Sequence, residues 1–191
     1  MTEKVRVLKT EILSDNCHIL SNVTFEFQKK DGTVQTQSSE IYNKRDGATI
    51  LLFNRVQKTV ILSKQFRLPT FLTGNKSGML IEACAGFLDS ENAEECIKRE
   101  TEEELGYKIS NVQKIFEAYM APGYVTGILS FFVAEYSKEL KVTNGGGVEN
   151  EEDIEVLEIN IDKALKMIES AEIKDGKTII LLQYVRLHHL I

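Results

Sequence analysis

The chain has 191 residues, is 42% hydrophobic and 27% charged, and carries a formal net charge of -6. That size fits one domain with a small appendage at most, and the acidic balance argues against non-specific binding to nucleic acid or anionic membranes. Cys17, Cys84 and Cys96 are odd in number and lack CxxC spacing, which argues against a disulfide framework and a zinc ribbon. Without a signal-peptide core in residues 1–13 or an apolar run of membrane-spanning length, a soluble cytoplasmic protein with reduced thiols is expected.

Residues 1–44 read as a small β unit. Val5, Val7 and Leu8 begin it. Ile19 to Phe27 alternates, with Val23, Phe25 and Phe27 on one face, and Lys30-Asp31-Gly32 is a hairpin turn before a return strand at Val34 to Tyr42. Such a hairpin is marginal alone and must pack on the rest of the chain or on a partner. After the polar joint 44–47 come two strong strands, Ala48 to Phe53 and Thr59 to Gln65. Residues 68–77, with Pro69 and Gly74, read as a loop, and Met79 to Ala83 as a short strand. A helix over about 93–105 is closed by Gly106. Strands follow at Val112 to Met120, Ile128 to Ala134 and Ile154 to Ile159. A Gly-rich, then acidic loop occupies 143–153, and helices are expected at 161–171 and 177–189. This mixture suggests α+β or α/β packing around a mixed sheet.

The helix at 93–105 is the informative element. It holds Glu94, Glu95, Glu100, Glu102, Glu103 and Glu104. At about 100° per residue, Ala93, Ile97, Glu100 and Glu104 fall within roughly 60° of one another. Two carboxylates therefore continue the apolar stripe that faces the sheet, with Glu103 flanking them. Partly buried like charges are costly unless something positive sits among them. Arg99, well round the helix on this wheel, does not meet that need. A divalent cation does, and oxygen donors without His or Cys favour Mg²⁺, or Mn²⁺, over Zn²⁺. The other reading is a solvated or salt-bridged acidic face.

Gly86, Glu91, Arg99-Glu100, Glu103-Glu104, Gly106 and Tyr107 resemble the box of the Nudix hydrolases. The loop from Gly86 to Glu91 is one residue short of the family pattern, and Thr101 stands where an aliphatic residue is usual. Pro122, sixteen residues after Gly106, marks the ADP-ribose pyrophosphatase branch. The stretches 43–52, 65–67, 81–86, 153–158 and 175–178 extend the likeness, over nearly the whole length, to the GDP-mannose pyrophosphatases of the NudK type.

The resemblance implies an α/β/α sandwich with the mixed sheet between helices, plus the N-terminal antiparallel β unit (1–44) ahead of a hydrolase domain (45–191). It implies magnesium-dependent hydrolysis of a nucleoside-diphosphate sugar, GDP-mannose first, by a homodimer whose N-terminal units exchange contacts. ADP-ribose hydrolysis and a non-catalytic nucleotide-sugar-binding module are the alternatives. Among site residues it implies metal ligation by Glu100, Glu104, the Ala85 carbonyl and Glu152. Glu103 serves as a ligand or support, and Glu149 or Glu151 as general base. Arg67, Lys177, Gly86 and Phe87 are set against substrate, with Arg67 suited to bidentate phosphate recognition and Lys177 to a point charge. Arg99 ties the glutamates in place. Gly127 stands where an acidic residue is usual, and Gln37, Ser38 and Ser39 where basic residues are usual; both changes touch substrate selection rather than metal binding. His18, His188 and His189 have no ligand spacing.

Overall fold

The computed structural model describes residues 4–16, 18–147 and 153–191. It divides into two compact units, Met1–Asp46 with Tyr119–Ile128, and Gly47–Ala118 with Leu129–Ile191.

The first unit is an antiparallel sheet of β1 (Val5–Asp15), β2 (Ile19–Gln28) and β3 (Val34–Asn43), in that order. Between β2 and β3, Gly32 adopts a φ of +86° and the Asp31 carboxylate accepts from the Thr33 amide at 2.9 Å; the left-handed step is one that glycine takes without strain. The segment 119–128 joins this sheet and not the following domain. The Tyr42 amide donates to the Tyr124 carbonyl (2.7 Å) and the Thr126 amide to the Tyr42 carbonyl (3.3 Å). No sequence periodicity marks such an excursion. β1 is an edge strand with register irregularities at Val7/Lys9 and Ile12/Ser14, and it exposes Val5, Val7, Leu8, Ile12 and Leu13.

The second unit carries a seven-stranded mixed sheet. Its main path is β10 (Glu155–Asn160), β5 (Thr59–Phe66), β4 (Gly47–Asn54), β9 (Ile128–Glu135) and β8 (Gln113–Tyr119), with β6 (Met79–Glu82) on β5 and β7 (Cys84–Phe87) on β4. β4 is parallel to β9 and antiparallel to β5. Successive side chains of a strand face opposite ways, and β4 has a core on each side. Leu51 and Phe53 pack with Val60, Leu62, Phe131 and Val133 beneath α3 (Ile161–Glu169) and α4 (Gly176–Leu187). Ala48, Ile50 and Leu52 pack with Ile61, Phe132 and Ile97 of α2 (Ala93–Glu100). The result is the expected sandwich of helix, sheet and helix.

Three elements differ from the sequence reading. Residues 68–77 contain a short helix, α1 (Leu68–Leu72), because Pro69 sits in the first turn, where no amide hydrogen is required. Cys84–Phe87 is a strand despite its small residues, because β4 supplies a ladder from Gly47 to Ile50. The helix over 93–105 is α-helical only to Glu100; Thr101–Leu105 widens into a π-type turn. The buried Thr101 hydroxyl donates to the Ile97 carbonyl at 2.6 Å, a back-bond that competes with regular helix pairing.

Candidate active site

α2 starts at Asn92, whose side chain accepts from the amides of Glu94 and Glu95 at 3.0 Å, a standard N-cap worth about 1 kcal/mol. Ile97 and Leu105 are fully buried and anchor the segment at roughly 1.5–3 kcal/mol each. The exposed Lys98–Glu94 pair (2.6 Å) adds little, because solvent screens it. The apolar stripe therefore decides which carboxylates face inward. Glu104 is 3% exposed, and the Glu100 side chain is 17% exposed.

Gly86 explains how Glu100 comes so close to β7. A Cβ built on Gly86 would lie 2.3 Å from Glu100 Oε1 and 2.5 Å from its Cγ. The carboxylate thus rests where any other residue would place a side chain. On the same short strand, Ala85 pairs with Thr49. The Cys96 thiol donates to the Phe87 carbonyl at 3.4 Å. Burial, with Glu100 next, pushes the Cys96 thiol up to about 11. Burial, with Glu104 next, pushes the Cys84 thiol well up. Both thiols are free; Cys17 lies outside the described residues.

Arg99 corrects the wheel reading. Its Nη1 lies 3.0 Å from Glu100 Oε1 and 2.9 Å from Glu103 Oε2, and its Nη2 2.7 Å from Glu91 Oε1. A long side chain reaches past the direction its Cα position indicates. Arg99 brings positive charge to Glu100 and Glu103, and Glu91 meets it despite the shortened loop. The hydrogen bond with Glu91 raises the guanidinium pKa further, and the charges of Glu100 and Glu103 add to it. Among the described residues no group of three or more Asp, Glu, His or Cys side chains is gathered tightly enough to hold a metal by itself. The donors Glu100 and Glu104 fit a hard cation that completes its shell with water and substrate phosphate, as Mg²⁺ commonly does.

The π-type turn is closed by a docked glycine run. Gly106 takes a φ of +77°. The Gly146 amide donates to the Glu104 carbonyl (2.9 Å) and the Gly147 amide to the Glu103 carbonyl (3.2 Å). A Cβ on Gly145 would fall 2.4 Å from the Glu104 carbonyl oxygen. The sequence reading treats these glycines as a source of mobility; here Gly145–Gly147 are packed against the helix end. Glu149, Glu151 and Glu152 lie outside the described residues.

Arg67 and Lys177 come together on a residue the sequence reading did not single out. Arg67 Nε donates to Glu82 Oε2 at 2.6 Å and Lys177 Nζ to Glu82 Oε1 at 2.8 Å. The signal was available: Glu82 is a lone charge in an apolar strand, and a buried charge needs partners. Phe87 is partly exposed at the end of β7. Gly127 leaves no room for the usual acid, because its Cβ would lie 2.6 Å from the Arg45 carbonyl oxygen.

A family model described as the NUDIX domain matches residues 43–179, and one described as the GDP-mannose pyrophosphatase NudK N-terminal domain matches residues 4–42. The chain belongs to the NUDIX hydrolase family. Relatives named GDP-mannose pyrophosphatase in Shigella dysenteriae serotype 1 (strain Sd197) and Escherichia coli O157:H7 are each 50% identical over 191 residues, covering 100% of both chains. A crystal structure of an ADP compounds hydrolase matches with a TM-score of 0.74 and 18% identity, over 96% of this chain and 93% of that one. At that identity the likeness concerns the fold.

Proposed function

We propose that this protein hydrolyses the pyrophosphate bond of a nucleoside-diphosphate sugar, GDP-mannose to GMP and mannose 1-phosphate. The observation that carries the reading is the pair of inward carboxylates, Glu100 and Glu104, with Glu100 seated on the bare Cα of Gly86. Two full-length relatives bearing the name GDP-mannose pyrophosphatase support the choice of substrate.

Glu100, Glu104, the Ala85 carbonyl and Glu152 would hold Mg²⁺, with Mn²⁺ as a substitute. The bound cation supplies charge neutralisation on the pyrophosphate and lowers the pKa of water. Glu103, fixed by Arg99 at 2.9 Å, supports the neighbouring carboxylates. Glu149 or Glu151 takes the proton from the attacking water. Arg67 and Lys177 bind phosphate oxygens, while Gly86 and Phe87 border the substrate. The N-terminal unit, residues 1–44, serves dimerisation: the exposed apolar side chains of edge strand β1 form a patch that a second copy would cover. Free Cys84 and Cys96 suit a reducing compartment, the cytoplasm. No helix among the described residues is long and apolar enough to cross a membrane.

The test is release of nucleoside monophosphate from GDP-mannose, ADP-ribose and other nucleotide sugars, with Mg²⁺ and with chelator. GDP-mannose cleavage that stops with chelator and in Glu104→Gln is the expected result. Faster cleavage of ADP-ribose would move the substrate to the alternative branch. Binding without cleavage of any of them would make the protein a binding module. Light scattering at monomer mass would remove the dimer.

A further inference from the structure

Glu82 sits at the end of β6 with its side chain 5% exposed, and each carboxylate oxygen is given to a different cation: Oε2 to Arg67 Nε and Oε1 to Lys177 Nζ. The Lys177 side chain, 13% exposed, has a second partner in Asp175 Oδ2 at 3.0 Å. Asp175 also caps α4 by accepting from the Thr178 amide at 3.0 Å, and the Thr178 hydroxyl accepts from the Ala83 amide at 2.6 Å. The start of α4 and the β6–β7 junction are thereby joined through one polar network. Arg67 is fixed from its backbone as well. Its amide donates to the Gly78 carbonyl (2.8 Å), and its carbonyl accepts from the Thr70 amide (3.0 Å).

The charges are two positive and two negative, so this cluster adds little net attraction for an anion. What it supplies is geometry. Among the described residues Arg67 commits only Nε, and its side chain is 41% exposed. The two Nη groups remain for a forked contact with phosphate, which requires a guanidinium held in one orientation. A buried carboxylate that served only folding would be no better than an apolar replacement of similar volume.

We infer that Glu82 is a positioning residue, which aims Arg67 and Lys177 at the pyrophosphate of the substrate by holding one on each carboxylate oxygen. The inference rests on the proposed function for its ligand, not for its geometry. Glu82→Gln keeps the shape but offers one acceptor where two are needed, so one cation is released. Glu82→Asp keeps the buried charge and draws the carboxylate back from both cations, so it is the variant to read if Glu82→Gln does not fold.

The experiment measures dissociation constants for GDP-mannose by calorimetry in the presence of chelator, with melting temperature as the folding control, for wild type, Glu82→Gln, Glu82→Asp, Arg67→Ala and each double variant with Arg67→Ala. Affinity is expected to fall about tenfold for each single variant, a loss on the scale of truncating one charged hydrogen-bond partner. Once Arg67 is gone, the Glu82 changes should weaken binding by less than about threefold, because only the Lys177 share remains. The kinetic counterpart is a rise in KM with little change in kcat. Unchanged affinity in the folded Glu82 variants, or effects of Glu82 and Arg67 that simply multiply, would overturn the inference. Because the readout is binding without turnover, failure of the wild type to hydrolyse GDP-mannose would sink the proposed reaction and leave this test standing.

Discussion

Replacing Gly86 with alanine separates stability from chemistry. The added Cβ would lie 2.3 Å from Glu100 Oε1, 2.4 Å from Cδ and 2.5 Å from Cγ, against an ordinary contact of about 3.5–4.0 Å. The colliding atoms belong to the end of a flexible side chain, not to backbone, so Glu100 can swing away by about 1–1.5 Å. Gly86 has no left-handed φ to lose, and the substitution removes unfolded-chain entropy worth about 0.4–1 kcal/mol. Gly86→Ala should therefore melt within a few degrees of wild type. Its rate should fall about 100-fold, the scale on which a displacement of 1 Å acts, and half-maximal activity should need more Mg²⁺. A magnesium titration of GMP release, run beside differential scanning fluorimetry, reads both quantities. Wild-type magnesium dependence in a folded Gly86→Ala protein would refute the argument that the bare Cα seats a ligand. A large drop in melting temperature would show that the clash is not absorbed by the side chain.

Arg99→Ala leaves Glu91, Glu100 and Glu103 without their common partner. Screening at this half-exposed site keeps the stability loss near 1 kcal/mol, a shift of about 2–4 °C, while turnover should drop about 10–100-fold, as for supports of metal ligands; turnover within twofold of wild type would remove Arg99 from the site. For Gly145→Ala the obstacle is backbone, with φ at +68° and the Cβ 2.4 Å from the Glu104 carbonyl oxygen, so about 2 kcal/mol or more is lost, and amide exchange at Gly146 and Gly147 should quicken; unaltered exchange would refute the docking. The Cys96 thiol, pushed up to about 11, holds its proton in the native state after the unfolded thiol has lost it. Stability from this source is full below the usual thiol range and disappears as pH rises through about 11, so urea midpoints from pH 8 to 11 should fall less steeply in Cys96→Ala than in wild type. Equal slopes would contradict this.

The sandwich was legible because its signals are local and repeated. β4, β5 and β9 are apolar runs of strand length, and the helical spacing of Ile97, Glu100 and Glu104 points those two carboxylates inward. What was not legible depends on contacts distant in sequence. The π-type turn needs the Thr101 back-bond and the glycine run from about forty residues later. β7 is poor strand sequence by propensity and forms because β4 offers hydrogen bonds. The wheel misplaces Arg99 because it gives the Cα and not the guanidinium, whereas the family resemblance gives it the tie to the glutamates that its ion pairs make. The excursion 119–128 into the first unit rests on hydrogen bonds to Tyr42 and Lys44, which no periodicity announces. Glu82 was the one omission with a visible signal, since a charge inside Met79–Glu82 must be exposed or paired.

The docking of the glycine run changes what to expect of the acids that follow it. A free Gly-rich hinge would let those carboxylates visit the site only part of the time. Here the Gly147 amide is bonded to the Glu103 carbonyl, and the Ile154 amide returns to the Gly146 carbonyl at 3.2 Å. Gly147 and Ile154 are thus both held, directly or through Gly146, at the helix end that presents Glu103 and Glu104. One attacking water gives its proton to one base, so under the proposed reaction one of Glu149 and Glu151 should dominate. Separate substitution by glutamine should lower kcat about 10²–10⁴-fold for one of them, with KM and melting temperature little changed, and leave the other near wild type. Equal, small losses for both would mean that neither is the base, and that the proton leaves the attacking water by another route.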